Sequence, residues 1–190
     1  MSRNMKELII IDEKTFPRVV NRIAHEIMEK NPNLEDLVLI GIKKGGSLLK
    51  ERIKEAIKKQ EGVDLITGDI DITMYRDDIF KIGFQPKVET TEIPCSLDNK
   101  NVVLIDDVLY TGRTVRAAID ALFDFGRPKR IQLAVFIDRG HRELPIQADF
   151  VGKFLPTSKK EIVVVMFKEE DGKDCVVLRE KNGRKNKMGS

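Results

Sequence analysis

The sequence has no tryptophan, and only two tyrosines, two cysteines and two histidines, in 190 residues. With so few Trp and Tyr, broad aromatic platforms for stacking unpaired bases are scarce. Cys95 and Cys175 lie far apart, with no CxxC pairing and no histidine close in sequence to either. That excludes the usual zinc spacings and a disulfide framework, and both read as reduced structural thiols. No run approaches the roughly 18–20 consecutive apolar residues that span a bilayer. The opening MSRNMKELIIIDEKTF also lacks a long apolar stretch with a cleavage site, so a cytoplasmic protein is expected. Charge of one sign is scarce too: 34 Lys and Arg against 31 Asp and Glu leave +3, part of it in the terminal REKNGRKNK. Such a balance neither demands nor excludes a polyanionic partner.

What is present fits one α/β domain. A 41% hydrophobic chain of this length can bury one sizeable core, so residues 1–180 are expected to form a single domain, with 181–190 a flexible basic tail. Over residues 14–30, Val19, Val20, Ile23, Ala24 and Ile27 fall at helical spacing, with Pro17 near the start. LVLIGI (37–42) is a short continuous apolar run, and after KKGG the segment SLLKERIKEAIKK is helical in period with Ser47 at the N-cap. VDLITGDIDITMY (63–75) alternates as a strand does. RDDIFKIGFQPKVETTE loses any period and reads as a long mobile loop, either a lid over an active site or a loop without function. NVVLIDDVLYTGRTVRAAIDALFDFGRP predicts a buried strand at Val102 to Ile105, a polar turn, and a helix from about Thr114 to Phe125 that Gly126 ends before Pro128. IQLAVFID follows as a strand, with IVVVMF and DCVVL completing or flanking the sheet. Apolar runs alternating with helices predict an α/β fold with a central, mostly parallel sheet flanked by helices.

The strongest chemical signal is VVLIDDVLYTGRT, residues 102–114. In open parallel sheets ligands bind beyond the carboxyl ends of the strands, so Asp106 and Asp107 are expected in a crevice. Two adjacent carboxylates accept hydrogen bonds from a vicinal diol and favour a ligand that arrives with Mg²⁺. Tyr110, Thr111, Gly112, Arg113 and Thr114 put hydroxyls and backbone N–H groups at a helix N-terminus, which suits a phosphate. The pattern is neither GxxxxGK[ST] nor GxGxxG, so a triphosphate or dinucleotide cradle is not indicated. A solvated turn before an ordinary helix is the bland reading of the same residues.

Residues 102–114 resemble the 5-phosphoribosyl 1-pyrophosphate (PRPP) motif of type I phosphoribosyltransferases, and DDVLYTGRT resembles in particular the pyrimidine operon regulatory protein family, PyrR. The likeness continues through RIAHE (22–26), DITMYRDD (71–78), DRGHRELP (138–145) and PTSK (156–159). It implies the type I phosphoribosyltransferase fold and a Mg-dependent transfer from PRPP to uracil, giving UMP and pyrophosphate. It also implies regulation of pyrimidine operon messenger RNA through uridine nucleotides, and a homo-oligomer.

By resemblance, Asp106 and Asp107 hold the ribose hydroxyls, with Val108 and Leu109 leading into the Tyr110–Thr114 turn that takes the 5-phosphate. Lys43, Lys44, Gly45 and Gly46 face the pyrophosphate, where glycine lets the backbone approach closely. This loop departs from the Thr-Arg-Gly run usual in PyrR, so an arginine contact is missing or supplied elsewhere. Lys43 or Lys44 could supply a point charge, or the pair is simply solvated. Arg76, in a flap with Tyr75, Asp77 and Asp78, is the expected clamp on pyrophosphate, and with Asp106 and Asp107 it makes up the expected catalytic set. Ile137, Asp138 and Arg139, with Val163, are expected around the base. Asn21, Arg22 and His25 are the implied RNA contacts, with help from exposed basic residues such as Arg142, although Asn21 stands where a threonine is usual. KKGG and ADFVGKFLP echo hypoxanthine and guanine phosphoribosyltransferases, which is the second enzyme reading. Tyr110 opposes it, because those enzymes usually place an acid there. A sensor of PRPP or nucleotide that has lost turnover is the third.

Overall fold

The computed structural model describes residues 7–73 and 90–180. Five strands form a parallel sheet in the order β3-β2-β4-β5-β6: β2 (Leu37–Ile42), β3 (Ile66–Ile70), β4 (Asn101–Leu109), β5 (Arg130–Asp138) and β6 (Phe150–Phe154). All six residues of β2 are buried, as expected for a strand covered on both faces. One face carries α1 (Phe16–Lys30) and α2 (Gly45–Glu61); the other carries α3 (Arg113–Leu122). In α1, Phe16, Val20, Ile23, Ala24 and Ile27 are buried along one stripe. The helix stops at Asn31, whose Nδ2 donates to the Ile27 carbonyl (2.9 Å).

IVVVMF and DCVVL do not extend the main sheet. As β7 (Glu161–Met166) and β8 (Cys175–Glu180) they join β1 (Leu8–Ile11) in a separate antiparallel sheet of order β1-β8-β7. Neither β1 nor β6 is among the strands expected from the sequence. A short helix, α4 (Lys168–Asp171), joins β7 to β8, and its neighbourhood is fastened to α2 by Arg52. That guanidinium binds both Asp174 oxygens (2.7 Å each) and Glu169 (2.6 Å), and lies about 5 Å from the rings of Phe16 (5.3 Å) and Phe167 (5.5 Å).

Three boundaries differ from expectation for local reasons. Strand β3 ends at Ile70 rather than near Tyr75, because the Asp71 carboxylate accepts from Thr73 N (2.9 Å) and Oγ1 (2.6 Å) and turns the chain. Strand β4 runs on through Asp106 and Asp107 to Leu109, still in register with β5. Helix α2 begins at Gly45, so Ser47 lies inside it and not at its N-cap; its Oγ is buried with no hydrogen-bond partner among the described residues. The expected flap around Arg76 and the expected tail lie outside the described residues. Among the described residues no helix is long and apolar enough to cross a membrane.

Candidate active site

Parallel strands bring the ends of β2, β4 and β5 to one edge of the sheet. The chain leaves β2 for β3 on one side and later returns to β4 on the other, so the crevice between β2 and β4 is where the winding direction reverses. The loop after β2 lies directly on the end of β4. A Cβ on Gly46 would stand 2.2 Å from the Ile105 carbonyl oxygen, and one on Gly45 would stand 2.4 Å from Asp107 Oδ2. Only glycine permits that approach. Lys43 Nζ donates to the Thr90 carbonyl (2.7 Å), whereas Lys44 stands exposed at the start of α2.

Asp106 is 7% exposed, and its Oδ1 accepts from the Asp107 N–H (3.0 Å); Asp107 Oδ1 in turn accepts from the Val108 N–H (2.8 Å). Burial, and then the neighbouring Asp107 charge, push the Asp106 carboxyl well above the ordinary carboxylate range; burial also raises Asp107. Desolvated, mutually repelling carboxylates are stabilised by hydroxyl donors or a cation. The Leu109 side chain turns into the core, leaving only its backbone for a ligand. Gly112, at φ 91°, then turns the chain into α3, with the Thr111 hydroxyl accepting from the Arg113 N–H (3.3 Å). The first turn of α3 thus follows directly on the end of β4, the strand that carries the acid pair. Arg113 reaches Glu143 (2.8 Å) at the surface.

The side chains expected around a base point inward. Ile137 is fully buried; the Asp138 carboxylate accepts from Gly140 N (3.0 Å) and Arg142; and Val163 packs in the same core cluster as Ile137. Arg139 is 7% exposed, its guanidinium lying 4.2 Å from the Tyr110 ring centre and bonded to Thr157 Oγ1, the Ser158 carbonyl and the Glu161 carbonyl. Any base contact by residues 137–139 therefore falls to their backbone. Sequence reasoning missed His141, whose ring donates to the Thr157 carbonyl and meets Tyr110 edge-on; only its place within DRGHRELP marked it.

The expected RNA residues are on α1, away from this crevice. Arg22 binds Glu26 and the Val151 and Gly152 carbonyls; His25 is exposed beside Glu29 (3.4 Å); Asn21 lines a groove with Glu51 and Arg52. Arg142 is not the exposed basic group expected of it. Its guanidinium is used on Ile146, Tyr110 and Gly140 carbonyls and on Asp138.

A parallel sheet with a buried acid pair running into a glycine-hinged turn fits a phosphoribosyltransferase fold, and residues 9–171 match the phosphoribosyl transferase domain model. Solved structures agree on the fold: a Staphylococcus aureus hypoxanthine phosphoribosyltransferase superposes with a TM-score of 0.69 at 20% identity, covering 94% of each chain. The Trypanosoma cruzi hypoxanthine enzyme bound to its product IMP also gives 0.69, at 18% identity over 94% of this chain and 93% of that one. Among curated proteins, the bifunctional protein PyrR of Clostridioides difficile is 55% identical over 90% of this chain and 97% of its own length, and that of Thermus aquaticus 57% over 87% and 92%. The chain belongs to the PyrR family of phosphoribosyl transferase domain proteins.

Proposed function

We propose that the chain is a uracil phosphoribosyltransferase that makes UMP and pyrophosphate from uracil and PRPP, and that it also binds pyrimidine operon messenger RNA under the control of uridine nucleotides. The observation that carries the enzymatic half is the continuity of Asp106–Asp107 with the Tyr110–Thr114 turn, under the Lys43–Gly46 loop. It supports reading a diol site, a monophosphate site and a pyrophosphate site in sequence.

In this reading Asp106 and Asp107 accept from the ribose hydroxyls and hold the ring, while the amides of the turn and the Thr111 and Thr114 hydroxyls fix the 5-phosphate. Lys43, Lys44 and the backbone of Gly45 and Gly46 face the pyrophosphate. As the C1–pyrophosphate bond breaks, positive charge grows on the sugar ring near the acid pair, and uracil N1 bonds to C1 while its N–H proton passes to solvent. Among the described residues no group of three His, Cys, Asp or Glu forms a metal cage. Two carboxylates suit Mg²⁺ that comes with the substrate's own oxygens, and when bound it neutralises the leaving pyrophosphate. Tyr110, in place of an acid, favours a pyrimidine over a purine.

The RNA half rests on family membership and on exposed His25, and the same membership supports a homo-oligomer in the cytoplasm. The test is turnover with PRPP and Mg²⁺, offering uracil, hypoxanthine and guanine separately. Uracil-selective UMP formation supports the reading, and purine turnover overturns the substrate. Nucleotide-dependent RNA binding without any turnover favours a sensor.

A further inference from the structure

Residues 139–144 lie along the phosphate turn. Arg139 N donates to the Leu109 carbonyl (3.1 Å), Glu143 N (2.9 Å) and Leu144 N (3.2 Å) donate to the Thr111 carbonyl, and Arg142 Nη1 donates to the Tyr110 carbonyl (2.8 Å). From this strap two side chains reach segment 157–161, an irregular stretch that ends on the first residue of β7. Arg139 takes Thr157 Oγ1 (3.1 Å) and the carbonyls of Ser158 (3.1 Å) and Glu161 (2.9 Å), and His141 takes the carbonyl of Thr157. Both side chains stand against one ring. The Arg139 guanidinium lies over the Tyr110 face at 4.2 Å, and the His141 ring meets it at 5.9 Å, tilted 71°. A guanidinium over an aromatic face is held more strongly once removed from water, and this one is almost wholly buried. Three carbonyls of segment 157–161 thus depend on two cationic or polar side chains whose common support is Tyr110.

We propose that Arg139 is a positioning residue. Acting through the ring of Tyr110, it ties segment 157–161 to the phosphate turn, so that a phosphorylated sugar seated at 110–114 orders the segment that borders the base side of the site. The proposal rests on the phosphoribosyltransferase reading for its ligand, but not for its mechanics. Coupling of this kind is an energetic link between two places that share one rigid support. Arg139 needs no contact with the base to affect base affinity.

The experiment is amide hydrogen exchange on the full chain, with and without PRPP and Mg²⁺, in wild type, Tyr110→Leu, Tyr110→Phe and Arg139→Lys, alongside KM values for uracil and PRPP. Without ligand, Tyr110→Leu should speed exchange at 157–161 by about tenfold, the equivalent of roughly 1.4 kcal/mol in local opening, and leave the centre of β4 unchanged. Tyr110→Phe, which keeps the ring, should match wild type there, and Arg139→Lys should fall between. With PRPP, protection of 157–161 should rise in wild type and Tyr110→Phe but not in Tyr110→Leu, whose KM for uracil should rise several-fold more than its KM for PRPP. Unchanged exchange at 157–161 in ligand-free Tyr110→Leu overturns the proposal, as does equal loss in Tyr110→Phe. If wild type fails to bind PRPP, the functional reading falls, and the ligand-free comparison still decides the coupling.

Discussion

Gly45 and Asp107 are in direct apposition: a methyl group on the first would overlap the carboxylate of the second, at 2.4 Å. The loop after β2 and the acid pair of β4 are therefore one surface, and neither can be altered without the other.

Gly45→Ala should push that surface apart. Overpacking of this kind costs about 1–3 kcal/mol, and here it falls on the proposed PRPP site. UMP formation should drop roughly tenfold or more, with most of the loss in KM for PRPP and little in KM for uracil. Steady-state kinetics with each substrate varied separately checks this.

Asp106 carries opposite consequences for stability and activity. Its carboxyl lies well above the ordinary value of 3.8 because of burial and then the Asp107 charge, so the folded protein keeps a proton that the unfolded chain releases. Stability of the ligand-free protein should therefore fall as pH rises from about 4 through the raised native value, since the folded state binds more protons across that window. Asp106→Asn removes this penalty. Its Tm should exceed wild type by a few degrees at neutral pH, with the gap closing in acid, while turnover falls on the order of 100-fold. Thermal melts across pH, paired with activity, test both.

Arg52 should behave as the fastener between α2 and the small sheet. Arg52→Met leaves Asp174 and Glu169 without their partner and should cost about 2–3 kcal/mol, a figure reduced from that of a fully buried pair by partial exposure. Arg52→Lys should recover only part, because it cannot bind both Asp174 oxygens in parallel. Although burial alone would raise Asp174, its bonds to Arg52 and to the Lys168 N–H hold it below 3.8. That contribution is present above the ordinary value and lost as pH falls through the depressed one. Urea denaturation of the three proteins at neutral and acid pH measures it.

Gly112 separates strain from crowding. A Cβ there would meet nothing closer than Ile146 at 3.4 Å, so space is available, but φ is 91°. Gly112→Ala should cost about 1–2 kcal/mol through the backbone alone and weaken PRPP binding by a similar factor. Calorimetric titration with PRPP, set beside a melt, shows whether the two losses match.

The sheet, its helices and the acid pair were legible because each rests on a local pattern: the apolar run of β2, the 3.6-residue stripe of α1, and the Asp-Asp before Thr-Gly. The separate small sheet was not, because four apolar residues at Leu8–Ile11 do not announce that their partner is Cys175–Glu180. Nor was the inward commitment of Arg139 and Arg142. Arg142 reads as a solvent-facing basic residue and Arg139 as a base contact until the carbonyls of 110, 146, 158 and 161 are found converging on them. Lys43 was ambiguous for the same reason, since the Thr90 carbonyl that holds it is remote in sequence.

The parallel ladder between β2 and β4 also sets the order of events during synthesis. Residues 37–42 and 101–109 must meet before either half of the crevice has its shape, and pairing across such a stretch of chain is slow compared with forming α1 or α2. A nascent chain that has emerged only as far as β3 carries the glycine loop with nothing to lie against. The crevice thus takes shape late, when β4 enters the middle of the sheet, and a chain held before residue 101 has neither the acid pair nor the turn to set against the glycine loop.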